Sequence, residues 1–375
     1  MSNKNKVSVI TLGCSKNIVD SERLMKQLQL NKVLLMEDPE DADTVIINTC
    51  GFIERAKEES INTILNAVSL KSKGKLNKVI VAGCLSQRYK EELAKDIPEV
   101  DVYFGTEDYE GIIKELGGEL KYNLLGERLL TTPSHTAYLK ISEGCDHPCS
   151  FCAIPLMRGQ HKSKPMEDLI KETEFLANNG TKELIIIAQD TTDYGKDIYG
   201  KKSNYVDIPL QHISDNVLRS MRRGVTAAQT KKLLNRLRSS IPGLTLRTTL
   251  LTGYPNETED DFKELCDFVG ETRFDRIGTF TFSVEDNTSS YILGDPVHQK
   301  IKEERRDILM EIQKDISAEL NSAFIGKKLR ILVEAKEGDF YIGRSYRDAP
   351  EVDGEVLIPN KNNILTPGNF YDVRV

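Results

Sequence analysis

The sequence predicts an α/β protein in three parts: an open α/β domain over residues 5–120, a second α/β region over 131–323 patterned as a full or partial (β/α) barrel, and a small all-β module over 325–375. Three observations predict it. Short β-branched runs alternate with helical patterns through most of the chain, as buried parallel strands and their crossover helices do. One interior connection, Thr191–Asn204, is polar and glycine-bearing with no helical face, although parallel neighbours need a crossover of about a dozen residues, usually helical; either the flanking strands are not neighbours or one βα unit is absent. The tail from Gly326 onward reads as short strands and turns.

In the first part, Val7–Thr11, Val45–Ile47 and Val79–Val81 are the strand candidates, and each runs into a cysteine: Cys14, Cys50 and Cys84. A helical pattern follows each. The second places Ile53, Ala56, Ile61, Ile64, Leu65 and Val68 on one face. After Cys84, the residues Leu85, Tyr89 and Leu93 recur at four-residue steps. A fourth unit follows, with Val102–Gly105 as strand and Asp108–Leu116 as helix. The domain ends in the Gly- and charge-rich stretch around Gly117–Arg128.

The middle offers strands at Ala137–Ile141, Leu184–Ala188, Tyr205–Ile208, Leu246–Leu251 and Ile277–Phe282. Helices are expected at Met166–Asn178, Ala227–Ser239, Glu259–Glu271 and Lys302–Leu320. The third opens on a capping box, Thr258 to Asp261, and its apolar face is Phe262, Leu265, Cys266 and Val269. The last places Ile301, Ile308, Ile312, Ile316 and Leu320 on one side. The tail strands are Leu329–Glu334, Phe340–Arg344, Val356–Ile358 and Tyr371–Val375, with turns at Gly338 and at Asp353-Gly354.

Composition narrows the function. The 375 residues carry 51 Lys and Arg against 58 Asp and Glu, a net charge of −7. A generic DNA-coating protein needs a basic face to displace counterions, so the mildly acidic total argues against that class. The 39 % hydrophobic share is too high for a disordered chain. No stretch reaches the roughly 20 apolar residues of a membrane span, and the N-terminus shows no secretory h-region, so a cytoplasmic protein is expected. Disulfides are then not expected, and the seven cysteines are read as metal or redox chemistry.

The strongest motif is Cys145-Asp146-His147-Pro148-Cys149-Ser150-Phe151-Cys152. Three soft thiolates in eight residues can hold three irons of a cubane cluster and leave the fourth open to a small molecule. The alternative is a zinc knuckle with His147 or His161 as a distant fourth ligand; His147 could also tune a cluster by hydrogen bonding. The second constellation is Cys14, Cys50 and Cys84. Strand ends in an open parallel sheet share one edge, so the three cysteines converge there, each ahead of a helix N-terminus that favours thiolate. The alternative is three separate buried cysteines. Cys266 lies on a buried helical stripe and reads as core. His135, His161, His212 and His298 are isolated and read as surface or satisfied residues. No phosphate-binding glycine motif is present.

These residues carry a resemblance. C-x3-C-x2-C with Phe151 before the last cysteine resembles the radical S-adenosylmethionine (SAM) superfamily. The added domain with Cys14, Cys50 and Cys84 resembles its methylthiotransferases, as do Thr11–Asn17, Asn48–Ile53, Ile141–Cys145 and Leu246–Thr249. Within that group Gly13–Asn17, Val206–His212 and Gly343–Gly354 are similar to the RimO type, which methylthiolates an aspartate of ribosomal protein S-twelve, rather than to the MiaB type, which modifies tRNA adenosine. The resemblance spans nearly the whole chain and makes the tail a TRAM-like module. Eight basic and eight acidic residues in that tail suit a basic protein partner better than RNA.

The resemblance implies two 4Fe-4S clusters, one on Cys14, Cys50 and Cys84 and a SAM-binding one on Cys145, Cys149 and Cys152, with Phe151 near the adenine. It implies reductive cleavage of SAM, hydrogen abstraction from the aspartate β-carbon, and methylthiolation drawing sulfur from the first cluster and methyl from a second SAM. An electron donor such as flavodoxin or ferredoxin and a monomeric state go with it. The chain departs from the family pattern in three places. A βα unit is absent between Gly200 and Tyr205, the tail is one strand short, and Asn256 replaces a glycine after Tyr254-Pro255. A reading of another class is a non-catalytic iron–sulfur or zinc-binding module on the ribosome.

Overall fold

The structure is a computed structural model that describes residues 5–124, 126–191, 193–195, 197, 209–240, 244–345, 347–348, 354–360 and 365–375. It divides into two compact units. One comprises 1–146 with 153–203, the other 147–152 with 204–375.

The first unit is built on a five-stranded parallel sheet of β1 (Lys6–Thr11), β2 (Leu34–Leu35), β3 (Thr44–Thr49), β4 (Lys78–Gly83) and β5 (Val102–Tyr103) in the order β2-β1-β3-β4-β5. Helices α1 (Ser15–Leu30), α2 (Glu54–Ser72), α3 (Cys84–Asp96) and α4 (Tyr109–Glu115) connect the strands. Val45, Ile46, Ile47, Val79, Ile80 and Val81 are all fully buried because both sheet faces are covered. Val45, Ile47, Val79 and Val81 pack on Ile64 of α2 and Leu85 of α3, while Ile46 and Ile80 pack on Leu24 and Leu28 of α1 and Ile112 of α4. Alternation along each strand thus feeds two cores. The order reverses between β1 and β3, and the crevice beyond the carboxyl ends there is where such sheets bind ligands.

The same unit continues through β6 (Thr136–Lys140), β7 (Ser142–Glu143), α5 (Ile154–Arg158), β8 (Lys162–Ser163), α6 (Met166–Asn178) and β9 (Glu183–Ile187). Strands β6 and β9 pair in parallel, and β7 and β8 antiparallel.

The second unit contains α7 (Asp215–Ser220), α8 (Ala227–Ser240), β10 (Arg247–Thr252), α9 (Glu259–Thr272), β11 (Arg276–Thr281) and α10 (Gln299–Ser322). Strands β10 and β11 are parallel, and Gln211 bridges to Leu250. Leu250, Leu265, Phe268, Val269 and Leu309 form the centre of their core. The tail folds as a four-stranded antiparallel sheet, β14 (Val356–Pro359), β13 (Phe340–Ser345), β12 (Lys328–Glu337) and β15 (Phe370–Arg374), around Ile331, Val333, Tyr341 and Ile358.

Two expected helix faces are corrected. On α2 the inward stripe is Lys57, Ser60, Ile64 and Ala67, and Ile53, Ile61 and Leu65 are exposed. Ser60 takes an inward place because its hydroxyl binds the Cys50 backbone on both sides. On α10 the buried stripe runs Lys302, Arg305, Leu309, Gln313 and Ile316, whereas Ile301 and Ile308 face solvent. Polar side chains hold that stripe because each is paired. The Lys302 ammonium donates to Phe282 O at 2.8 Å, and Arg305 to Glu257 at 2.8 Å. The expected strand Tyr205–Ile208 lies outside the described residues, as do most of Thr191–Asn204 and Asp353. Strand β2 has no counterpart among the sequence expectations.

Candidate metal centres

In the first unit Cys14, Cys50 and Cys84 follow the ends of β1, β3 and β4, three adjacent strands. Cys14 is the N-cap of α1 and is exposed, Cys84 opens α3 and is buried, and Cys50 is buried four residues ahead of α2. The strand register Thr49↔Gly83 carries directly into Cys50 and Cys84. Glycine makes the approach feasible. A Cβ at Gly13 would lie 2.8 Å from Cys50 Sγ, and the residue's φ of +90° is left-handed backbone besides. A Cβ at Gly51 would lie 2.8 Å from Leu85 Cα and 3.2 Å from the Cys84 carbonyl carbon.

Burial pushes the Cys50 thiol up and the Cys84 thiol up to about 11, with Arg158 pulling the other way. Desolvation is the largest influence on both thiols. A metal bound by these sulfurs must displace their protons. The donor set fits an iron–sulfur cluster: three sulfurs from adjacent strand ends at a sheet's switch point, in a cradle glycines keep open.

Arg158, at the end of α5, is a residue that sequence reasoning passed over. Its Nε donates to Cys84 Sγ at 3.2 Å. Its Nη1 donates to Asp20 at 2.6 Å and to Glu143 at 3.2 Å, and its Nη2 to Asn17 Oδ1. Asn17 in turn donates to Leu12 O and Thr49 O, tying the loop after β1 to the end of β3. Asp20, Glu107 and Glu143 converge closely enough to hold a cation, but the Lys140 ammonium bonds to all three. Burial alone would raise the Asp20 carboxyl; Lys140 and Arg158 hold it far below the usual range.

Cys145 follows Gly144, where a Cβ would collide with Gln160 O at 2.1 Å, and its amide donates to Gly159 O at 3.2 Å. In the second unit, Cys149 Sγ accepts from Arg223 Nη1 at 3.2 Å, and Arg223 Nη2 is fixed on Pro209 O. The Cys152 amide donates to Cys149 O. Ser150 anchors this loop: its amide donates to Met221 O, its carbonyl accepts from the Ser290 amide, and its hydroxyl meets Tyr254 Oη at 2.7 Å. Phe151 is half-buried edge-to-face on Tyr254, with centroids 6.5 Å apart, in a cluster with Val217 and Phe282. All three cysteines of the motif are partly exposed.

The remaining candidates are placed as follows. Cys266 packs against the second unit's core, and burial raises its thiol to about 11. His298 caps α10, and His161 meets Ser163. His135 and His212 are buried instead of surface-facing, each with an Nε2 lacking a hydrogen-bond partner among the described residues, while His212 Nδ1 accepts from the Ser214 amide.

Three family models match the chain: the uncharacterized protein family UPF0004 over 6–105, the radical SAM superfamily over 139–203 and 199–269, and the TRAM domain over 325–375. Proteins named ribosomal protein uS12 methylthiotransferase RimO are similar over almost the full length. That of Christiangramia forsetii is 49 % identical over 414 aligned positions, covering 99 % of this chain and 92 % of its own. That of Cytophaga hutchinsonii is 46 % identical, covering 99 % and 95 %. With 375 residues here, at least 39 of the 414 positions face no residue of this chain. The two radical SAM segments meet at 199–203, within the short connection. Among solved structures, the radical SAM methyltransferase TsrM from Kitasatospora setae matches with a TM-score of 0.56 at 11 % identity, covering 77 % of this chain and 75 % of that one. The cobalamin-dependent radical SAM enzyme OxsB matches at 0.51 and 14 %, covering 82 % and 56 %. Likeness at that identity concerns the fold.

Proposed function

The chain belongs to the ribosomal protein uS12 methylthiotransferase RimO family and is a radical SAM methylthiotransferase, and from that premise we propose that it adds a methylthio group to the β-carbon of an aspartate in ribosomal protein uS12. The observation that carries the reading is the pairing of two cysteine triads in one chain, one at the switch point of a parallel sheet and one in the C-x3-C-x2-C loop. We assign residues 5–120 to the cluster domain, 131–323 to a radical SAM core with one βα unit absent near 199–203, and 325–375 to the TRAM module.

Cys14, Cys50 and Cys84 would hold one 4Fe-4S cluster, and Cys145, Cys149 and Cys152 the second. When bound, the two clusters supply the electron that cleaves SAM reductively and the sulfur that is transferred. The chain's own residues do the positioning. Ser150, through Met221, Ser290 and Tyr254, holds the motif loop in one shape. Arg223 sets a positive charge beside Cys149. Glu257 accepts from the amides of Gly253 and Tyr254 and so fixes the turn that follows β10, which carries the tyrosine under Phe151. The Phe151 ring would offer adenine an apolar contact. A ferredoxin- or flavodoxin-type protein would deliver the electron.

The test is anaerobic incubation of reconstituted protein with methyl-labelled SAM, sulfide and reductant, in the presence of both uS12 and tRNA. Label on a uS12 aspartate supports the proposal. Label on tRNA alone overturns it in favour of the adenosine-modifying type.

A further inference from the structure

We propose that Arg158 is a positioning residue for the cluster of Cys14, Cys50 and Cys84, holding Cys84 Sγ by a charged N–H···S bond and setting the cluster's reduction potential. The inference rests on reading those three cysteines as cluster ligands.

The geometry is specific. Arg158 is buried, its side chain 3 % exposed, and one guanidinium reaches four partners: Cys84 Sγ, Asn17 Oδ1, Asp20 and Glu143. Such a planar fork cannot swing away from the sulfur without abandoning its carboxylates. Helix α5 is itself seated by Ala153 and Met157, which pack with Cys84 in one small apolar cluster, and the Thr106 hydroxyl donates to Met157 O at 3.0 Å. The arginine is therefore held against Cys84 from three directions.

The chemistry follows from charge. A 4Fe-4S cluster on three thiolates is anionic and gains a further negative charge on reduction. Hydrogen bonds to its sulfurs and nearby positive charge stabilise the reduced form and raise the potential. The surrounding carboxylates, Asp20, Glu107 and Glu143, would act oppositely, but the Lys140 ammonium bonds to all three. Arg158 bridges from this carboxylate group to Cys84 Sγ. It also lies six positions after Cys152 in the chain, so the segment that leaves one triad supplies the charge for the other.

The test uses the full-length chain carrying C145A/C149A/C152A, so that one cluster reports. Its midpoint potential is followed by anaerobic redox titration with electron paramagnetic resonance, in the parent and with R158M, R158K and E143Q/R158M added. The expected result is a more negative midpoint for R158M and a smaller shift for R158K, which keeps the charge but not the fork. E143Q/R158M relieves the stranded carboxylate if R158M alone does not fold, and its midpoint is expected below that of E143Q alone, titrated beside it as the reference. A midpoint unchanged by loss of the arginine in the loaded protein overturns the proposal alone. A parent that takes up no iron overturns the ligand reading and the proposal together.

Discussion

An arginine donates to a sulfur of each cysteine triad, Arg158 to Cys84 and Arg223 to Cys149, both at 3.2 Å. Another polar residue is placed differently. His212 is fully enclosed, and burial lowers its pKa to about 4 from an ordinary 6.5, the nearby Asp261 acting against this. It is therefore neutral in the fold across most of the acidic range, while the unfolded chain binds its proton below about pH 6.5. Stability from this residue is full above that value and is lost as pH falls toward about 4, by on the order of 3 kcal/mol. H212N keeps an acceptor for the Ser214 amide and removes the titration. Denaturant unfolding of the apo-protein at pH 7 and pH 4.5 is expected to show a smaller acid loss in H212N than in the parent; equal losses would count against this account. The strand-end positions of Cys14, Cys50 and Cys84 were legible in the sequence because each ends a β-branched run. The arginines were not, since each lies 74 positions from its sulfur partner and only the tertiary fold brings them together.

At the scale of elements, strands and helix limits were largely readable, and helix faces less so. The β-branched runs at Val45 and Val79 are buried on both sides, so their hydrophobicity speaks for itself. The stripes of α2 and α10 misled because their inward positions include Lys57, Ser60, Lys302, Arg305 and Gln313. Apolar periodicity finds a face only where the core is apolar. The cap of α9 is the reverse case: Thr258 and Asp261 form the reciprocal pair that their spacing announces, with Thr258 Oγ1 accepting from the Asp261 amide at 3.2 Å. T258A is expected to lower unfolding free energy by about 1 kcal/mol, read as a reduced denaturant midpoint at constant slope. An unchanged midpoint would mean that the packing of Phe262 and Leu265 sets the helix end instead.

At the scale of the whole molecule, the distinctive feature is internal. The chain aligns with its relatives over nearly all of its length, yet more than three dozen aligned positions find nothing in it, and the radical SAM match breaks at the same short connection that the sequence marked. The parallel pairs β6–β9 and β10–β11 are present on either side of it, and so are all six candidate ligand cysteines. We propose that this is enough for radical chemistry. The most direct measurement is formation of 5′-deoxyadenosine when anaerobically reconstituted protein is mixed with SAM and a strong reductant. The expected result is about eight irons per chain, two 4Fe-4S clusters, with 5′-deoxyadenosine formed by the parent and none by C145A. Parent protein that loads with iron but leaves SAM intact, or that binds zinc in place of iron, would contradict it.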